Sequence, residues 1–233
     1  KIKVEYEVLP AALTAEDALK SDAPKIHEEA KKGENLIDLD GNILDSTDIS
    51  IGDTEKGFAE ADYIIEREYR TSRPNPAPME RTCVVCVPAD DGRLDVYGTS
   101  QGIHAMRINM SHSLGIPVSM LNCHRVYLGG SFGAHIHTGF IENICALLAL
   151  RTGRPVRGEK TREEVFLSCG RHPMIVTIKA GFKKDGTMTS LHSDVIDDTG
   201  SYAFSGSSKM NLALGTCISM YRCPNMRITG KSV

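Results

Sequence analysis

The chain has 233 residues, 41% of them hydrophobic and 24% charged, with a formal net charge of -3. That length and apolar content support a substantial buried core in one large domain or two small ones. The near-neutral charge excludes the basic footprint of a nucleic-acid-binding protein, and no apolar run reaches the ~18 residues that predict a membrane span.

The chain opens on KIKVEYEVLP, without an initiator methionine. IKVEYEVL alternates apolar and polar residues and predicts a strand ended by Pro10. TAEDALKS predicts a short helix, with Thr14 as N-cap and acids in the first turn. Residues 20 to 57 are polar, carry Gly33, Gly41 and Gly52, and predict an extended, loop-rich connector. EKGFAEA predicts a helix and DYIIEREYRT a strand. RTCVVCVP and RLDVYGTS predict two strands joined by the turn Asp90-Asp91-Gly92. HAMRINMSHSLG predicts a helix with Gly115 at its C-cap and Pro117 beyond. LNCHRVYL predicts a strand and leads into the loop LGGSFGAHIHTG.

FIENICALLALR predicts a helix that presents Ile141, Ile144, Cys145 and Leu148 on one face and stops at Gly153. VRGEKT predicts a short strand. PMIVTIKAGFKK and TMTSLHSDVIDD flank Asp185-Gly186 and predict a hairpin. GSYAFSGSS is a small-residue loop, and NLALGTCISMY fits a helix or a buried strand. MRITGKSV is an apparent strand with nothing after it to close it, so both ends predict a piece of a longer chain. Hairpins mixed with short helices predict an α+β fold with mixed sheets. The domain division expected is 1–57, an N-terminal strand, short helix and connector, and 58–233, a domain that continues beyond the chain.

The seven cysteines are scattered and odd in number, which fits a reducing, cytoplasmic interior rather than a disulfide framework. Cys83-Val84-Val85-Cys86 has redox or zinc spacing. In a strand, however, positions i and i+3 face opposite sides, so the reading favoured is two buried small hydrophobes. His135-Ile136-His137 can supply two metal ligands, with only His104, His112 and His124 as further candidates. The reading favoured is that these histidines enter the helix and bond to backbone, with no direct metal ligand in the chain.

GGSFG is neither a P-loop nor a dinucleotide fingerprint. Before a helix its N–H groups suit an anionic or oxo ligand, and Gly129 and Gly130 allow close backbone approach. Phe132 is odd for a plain turn, because a large ring needs a surface to pack on. Gln101, at the end of a strand, can donate to an oxo or hydroxo group without changing charge. Glu80 is a buried acceptor or merely exposed, and Arg171-His172-Pro173 reads as structural. No GxSxG elbow or Ser/His/Asp order points to acyl transfer.

The segments YEVLP, PMERTCV, YGTSQGIHAMR with SLGIP, LGGSFGAHIHTGFIENICALLALRTGRPVR, GRHPMIVTIKAGFKKDGTMTSL and YRCPNMRITGKSV stand in this order. Together they resemble the molybdenum hydroxylases, the xanthine dehydrogenase and aldehyde oxidoreductase enzymes. The resemblance covers nearly all of the chain and matches the first molybdopterin-binding part of their large subunit.

The resemblance implies that Gln101 stands beside the apical ligand of molybdenum. It also implies that Phe132 and Gly133 flank the substrate and lend backbone N–H to the metal's oxo ligand, with Gly130 in the same cofactor-binding loop. It implies a molybdenum–molybdopterin cofactor, in its plain or cytosine dinucleotide form, with iron–sulfur clusters and FAD on partner subunits or domains. The activity implied is oxidation of a heteroaromatic or aldehyde with oxygen from water, using a small-molecule substrate and neither nucleic acid nor membrane. Two positions depart from the xanthine-oxidising pattern. Ile136 stands where a glutamate contacts purine, and Leu212 where an arginine orients it, so an apolar wall replaces polar purine contacts.

The family's catalytic base lies beyond Val233. No catalytic residue is therefore expected among residues 1–233, and the isolated chain is expected to hold no cofactor and to be inactive. The remainder of the large subunit, or a second molybdopterin-binding chain, is expected to complete the site. The alternative reading is a non-enzymatic domain whose GGSFG loop binds an anion or nucleotide.

Overall fold

The computed structural model describes residues 2–27, 41–168, 170–203 and 205–233. Its architecture is α+β, as predicted, with two mixed sheets and short helices. Residues 1–72 with 172–233 form one compact unit and residues 73–171 the other. The expected division at 57 falls inside a helix, Thr54–Ala59.

In the first unit, α1 (Ala15–Ala18) starts where the cap signal placed it, with the Thr14 side chain accepting from the Asp17 N–H at 3.1 Å. The strand predicted for IKVEYEVL is absent. Residues 2–13 have no ladder, and Ile2, Tyr6 and Val8 are 92%, 85% and 92% exposed. Alternation prepares an apolar face, but a strand also needs a neighbouring backbone to pair with. The predicted connector is loop-rich only in part. Gly33 lies outside the described residues, whereas β1 (Asp45–Ile51) and the start of α2 (Thr54–Ala59) are regular.

The unit's sheet has the order β1-β9-β8-β7-β2, where β2 is Tyr63–Arg70, β7 Met174–Phe182, β8 Met188–Asp197 and β9 Met226–Ser232. The terminal strand, predicted to have nothing after it to close it, lies inside this sheet between two earlier strands. It runs antiparallel to β1 and parallel to β8. Its burial alternates, so Met226, Ile228, Gly230 and Ser232 face the core. NLALGTCISMY, all but its final Tyr221, falls within a helix, α6 (Gly206–Met220), which packs on β8 and β9. Met210 and Leu214 of α6 sit over Gly230, where a Cβ would lie 3.0 Å from Leu214.

In the second unit the sheet order is β5-β4-β3-β6, where β3 is Cys83–Pro88, β4 Leu94–Gly98, β5 Leu121–His124 and β6 Val156–Glu159. β4 and β5 are parallel and are joined through α3 (Ile103–Leu114). Gly115 caps α3 in the left-handed region, and Gly153 does the same for α4 (Phe140–Thr152). A further helix, α5 (Arg162–Ser168), lies outside the elements predicted, although Thr161 and Glu164 have capping-box spacing: the Glu164 N–H donates to Thr161 Oγ1 at 3.2 Å and the Thr161 N–H to Glu164 Oε2 at 2.6 Å.

The buried face of α4 differs from the one predicted. Glu142, Cys145, Ala146 and Ala149 are buried, whereas Ile144 and Leu148 are exposed. The cause is close packing on the sheet. A Cβ at Gly158 of β6 would sit 2.5 Å from Cys145 Sγ and 2.9 Å from Ile141 Cγ1, so the helix rests close on the sheet along the 141–142–145–146–149 face.

Candidate functional site

Because β4 and β5 run parallel, the loops that follow them leave from the same strand ends. Gln101 follows β4, and the glycine loop follows β5. These segments, 32 positions apart, are hydrogen-bonded. The Gly133 N–H donates to Gln101 Oε1 at 3.0 Å, and the His135 N–H approaches the same oxygen at 3.4 Å. The Gln101 N–H donates to the His135 carbonyl at 2.9 Å. Gln101 is exposed, and its amino group has no partner among the described residues.

Phe132 and Gly133 both lie at positive φ, +50° and +94°. For phenylalanine this is an uncommon, strained conformation that costs about 1–3 kcal/mol. The ring is 77% exposed and lies against Gly130, where a Cβ would come within 3.1 Å of Phe132 Cε2. Open space surrounds Gly133, with nothing within 4 Å of a Cβ built there. The ring touches the bare backbone of Gly130 but stays mostly exposed, so packing within the described residues does not account for a large side chain in this turn.

Strain of this kind inverts an ordinary ranking. At position 132, glycine is expected to be more stable than alanine by about 1 kcal/mol, because alanine keeps the left-handed penalty and glycine does not. Urea unfolding of Phe132→Gly and Phe132→Ala checks this. Alanine as the more stable of the two would mean that the turn is not held in the left-handed region.

The loop is fixed at both ends. At its start, the Gly129 N–H donates to Glu80 Oε2 at 2.5 Å, so Glu80 is an acceptor. At its end, the Gly139 N–H donates to Glu142 Oε2 at 3.0 Å. Between them, Ser131 Oγ and His135 Nδ1 are hydrogen-bonded at 2.7 Å, and both residues are buried. The expectation that His135 bonds to backbone through its ring is thus corrected, because a hydroxyl one turn away is nearer. Burial holds the His135 imidazole below its ordinary range, with Glu80 opposing the shift and Lys160 adding to it. Neither Glu142 nor the Ser131–His135 pair was singled out from sequence, although the SxxxH spacing was available as a signal.

Burial also pushes the Glu142 carboxyl above its ordinary 4.5, against its backbone bonds and Lys160. The folded chain then holds a proton that the unfolded chain releases, so this group's contribution to stability falls as pH rises from 4.5. Glu142→Gln is expected to flatten that slope, since the amide oxygen still accepts from Gly139 and carries no charge. Denaturant unfolding across about pH 4 to 8 measures it. An unchanged slope would assign the dependence to other groups.

Cys86 is in the core and Cys83 is on the other side of β3, as the strand argument predicted. Burial lifts the Cys86 thiol to about 12, which keeps it protonated and unreactive. His124 pairs with Asp95 at 2.8 Å and stacks on Tyr97. His104 and His124 line a cavity of about 210 Å³ between α3 and β5. His172 Nδ1 lies 3.3 Å from the buried Asp197. Ile136 is 46% exposed on the glycine loop, and Leu212 is 67% exposed on α6 of the other compact unit.

Comparison with known proteins identifies the family. The family model for the molybdopterin cofactor-binding domain matches residues 36–233. The chain is 35% identical over 233 residues to a probable xanthine dehydrogenase subunit of Bacillus subtilis, covering 100% of this chain and 30% of that protein. It is 31% identical to the nicotinate dehydrogenase large molybdopterin subunit of Eubacterium barkeri, of which it spans 52%. The structure of aldehyde oxidoreductase from Desulfovibrio gigas superposes with a TM-score of 0.90 at 27% identity, covering 99% of this chain and 24% of that one. The chain thus spans from a quarter to about half of these relatives. With the family model matching most of its length and the fold superposing throughout, the chain belongs to the molybdopterin cofactor-binding domain family.

Proposed function

We propose that this chain forms one wall of the active site of a molybdenum hydroxylase that oxidises a heteroaromatic or aldehyde substrate. The observation that carries this reading is the direct bond between Gln101 and Gly133 beside the exposed Phe132 ring. The residues fit an oxo-bearing cofactor in two respects: an unpartnered carboxamide donor, and bare backbone at Gly133 that no side chain crowds. When bound, the cofactor supplies the redox metal, through which oxygen from water reaches carbon and two electrons leave.

The chain's own residues orient and exclude. Gln101 donates from its amino group without adding charge, Phe132 presents an apolar edge to a planar substrate, and Gly130 lets the backbone approach. The Gly133 N–H is already donated to Gln101, so the donor role falls to Gln101 itself. Ile136 offers no partner for purine oxygens, which favours a less polar ring or an aldehyde. The general base, the groups gripping the pterin, the iron–sulfur clusters and FAD are assigned to the rest of the protein or its partner subunits. The cofactor form assigned is the pterin with or without its cytosine dinucleotide, and the compartment assigned is the cytoplasm.

The alternative, a nucleotide or anion cradle, is less well supported. Two loop N–H groups, those of Gly129 and Gly133, already have acceptors in Glu80 and Gln101. The test is turnover in oxygen-18 water by the whole, cofactor-loaded protein on an N-heteroaromatic and an aryl aldehyde. Label in the product is the result expected. Product oxygen drawn from O₂, or tight nucleotide binding by cofactor-free protein, would overturn the reading.

A further inference from the structure

The glycine loop contains a buried pair to which the proposed reaction gives no role. Ser131 is 9% and His135 3% exposed, and together they bracket Phe132-Gly133-Ala134. Inside the bracket two successive residues take positive φ, and the Ala134 N–H donates to the Ser131 carbonyl at 2.8 Å. Such a turn is not self-supporting with phenylalanine in it, so something must hold its two ends together. The 2.7 Å bond between Ser131 Oγ and His135 Nδ1 does so.

His135 also makes two of the three bonds by which the loop grips Gln101, the backbone bonds at 2.9 and 3.4 Å, beside that of Gly133 at 3.0 Å. The atom that accepts the Gly133 and His135 N–H groups must be the carboxamide oxygen, because an N–H cannot donate to an NH₂ group. The grip thus sets which end of the amide faces outward. The imidazole holds this place at a cost. Its Nε2 is buried without a partner among the described residues, where an unmade bond costs about 1–3 kcal/mol. An apolar ring would fill the space without that cost, so the Nδ1 bond is the property that distinguishes histidine here.

We propose that His135 is a positioning residue: anchored on Ser131, it closes residues 131–135 so that the Gln101 carboxamide is held with its oxygen on the loop and its NH₂ group toward the ligand. The proposal rests on the role given to Gln101 above.

The test compares His135→Phe, His135→Asn, Ser131→Ala and Gln101→Ala in the whole, cofactor-loaded protein. It reads kcat, KM, molybdenum per protein, Tm and amide hydrogen exchange at Gly133. His135→Phe and Ser131→Ala are expected to lower kcat about tenfold with KM, metal content and Tm held, and to speed exchange at Gly133 selectively. His135→Asn, whose Oδ1 occupies the place of Nδ1, is expected to restore both.

Unchanged kcat and exchange in His135→Phe overturn the proposal. So does loss of metal and Tm in step with activity, or failure of asparagine to rescue. If His135→Phe does not fold, Ser131→Ala decides by the same readouts. Gln101→Ala without effect on kcat sinks the reading of Gln101 itself. A large effect there with none at His135 sinks only the present inference.

Discussion

Replacing Gln101 by alanine is expected to lower kcat of the whole, cofactor-loaded protein about 100-fold, with KM close to that of the parent. The magnitude follows from removing one preorganised donor at a site where charge develops during the reaction. A group of that kind acts in the transition state more than in substrate binding, hence the expected split between kcat and KM. Alanine also deletes the acceptor that holds the Gly133 N–H, so it removes two interactions at once. Gln101→Glu separates them. A carboxylate still accepts from Gly133 and His135 but donates nothing. It is expected to keep exchange at Gly133 slow and yet to lose kcat as far as alanine does. Full activity in Gln101→Glu would show that donation from this side chain is not what the reaction uses.

The second large effect concerns the support beneath the site. Leu94→Ala is expected to destabilise the 73–171 unit by about 3 kcal/mol. Leu94 is fully buried among Val84, Cys86, Val96, Met110 and Leu121. It opens β4 and pairs in register with Leu121 at the start of β5. Truncation there leaves a void in the core against the face of the two strands whose following loops carry Gln101 and Phe132. Leu212→Ala is the matched control, expected to change stability by less than about 0.5 kcal/mol because its side chain is mostly exposed. Denaturant unfolding of both variants decides the point. A loss below about 1 kcal/mol for Leu94→Ala would mean that this core relaxes around the deletion rather than supporting a fixed loop geometry.

Much of the local structure was legible because its causes are local. Thr14 caps α1, Gly115 and Gly153 end α3 and α4, and Asp185-Gly186 turns β7 into β8. In each case a residue and its neighbours within one turn carry the signal. The face of α4 was misread for a different reason. Periodicity marks where apolar residues recur, but the close approach of Gly158 to Cys145 and Ile141 set which stripe of the helix lies on the sheet. The terminal IKVEYEVL and MRITGKSV segments look alike as patterns and have opposite outcomes. One is unpaired, and the other sits between two strands. Alternation is a property of a segment, whereas a ladder is a property of two.

The candidate site divides along the same line. The sequence by itself determined the family and nominated the candidates Gln101, Phe132, Gly133, Ile136 and Leu212. It did so because residue identity and order suffice to establish a family resemblance. The tertiary structure alone decided that Gln101 meets Gly133 and that Ser131 meets His135 in the interior. The parallel pairing of β4 with β5 sets both loops at one edge of the sheet, and a strand pairing across this distance leaves no trace in either segment read alone.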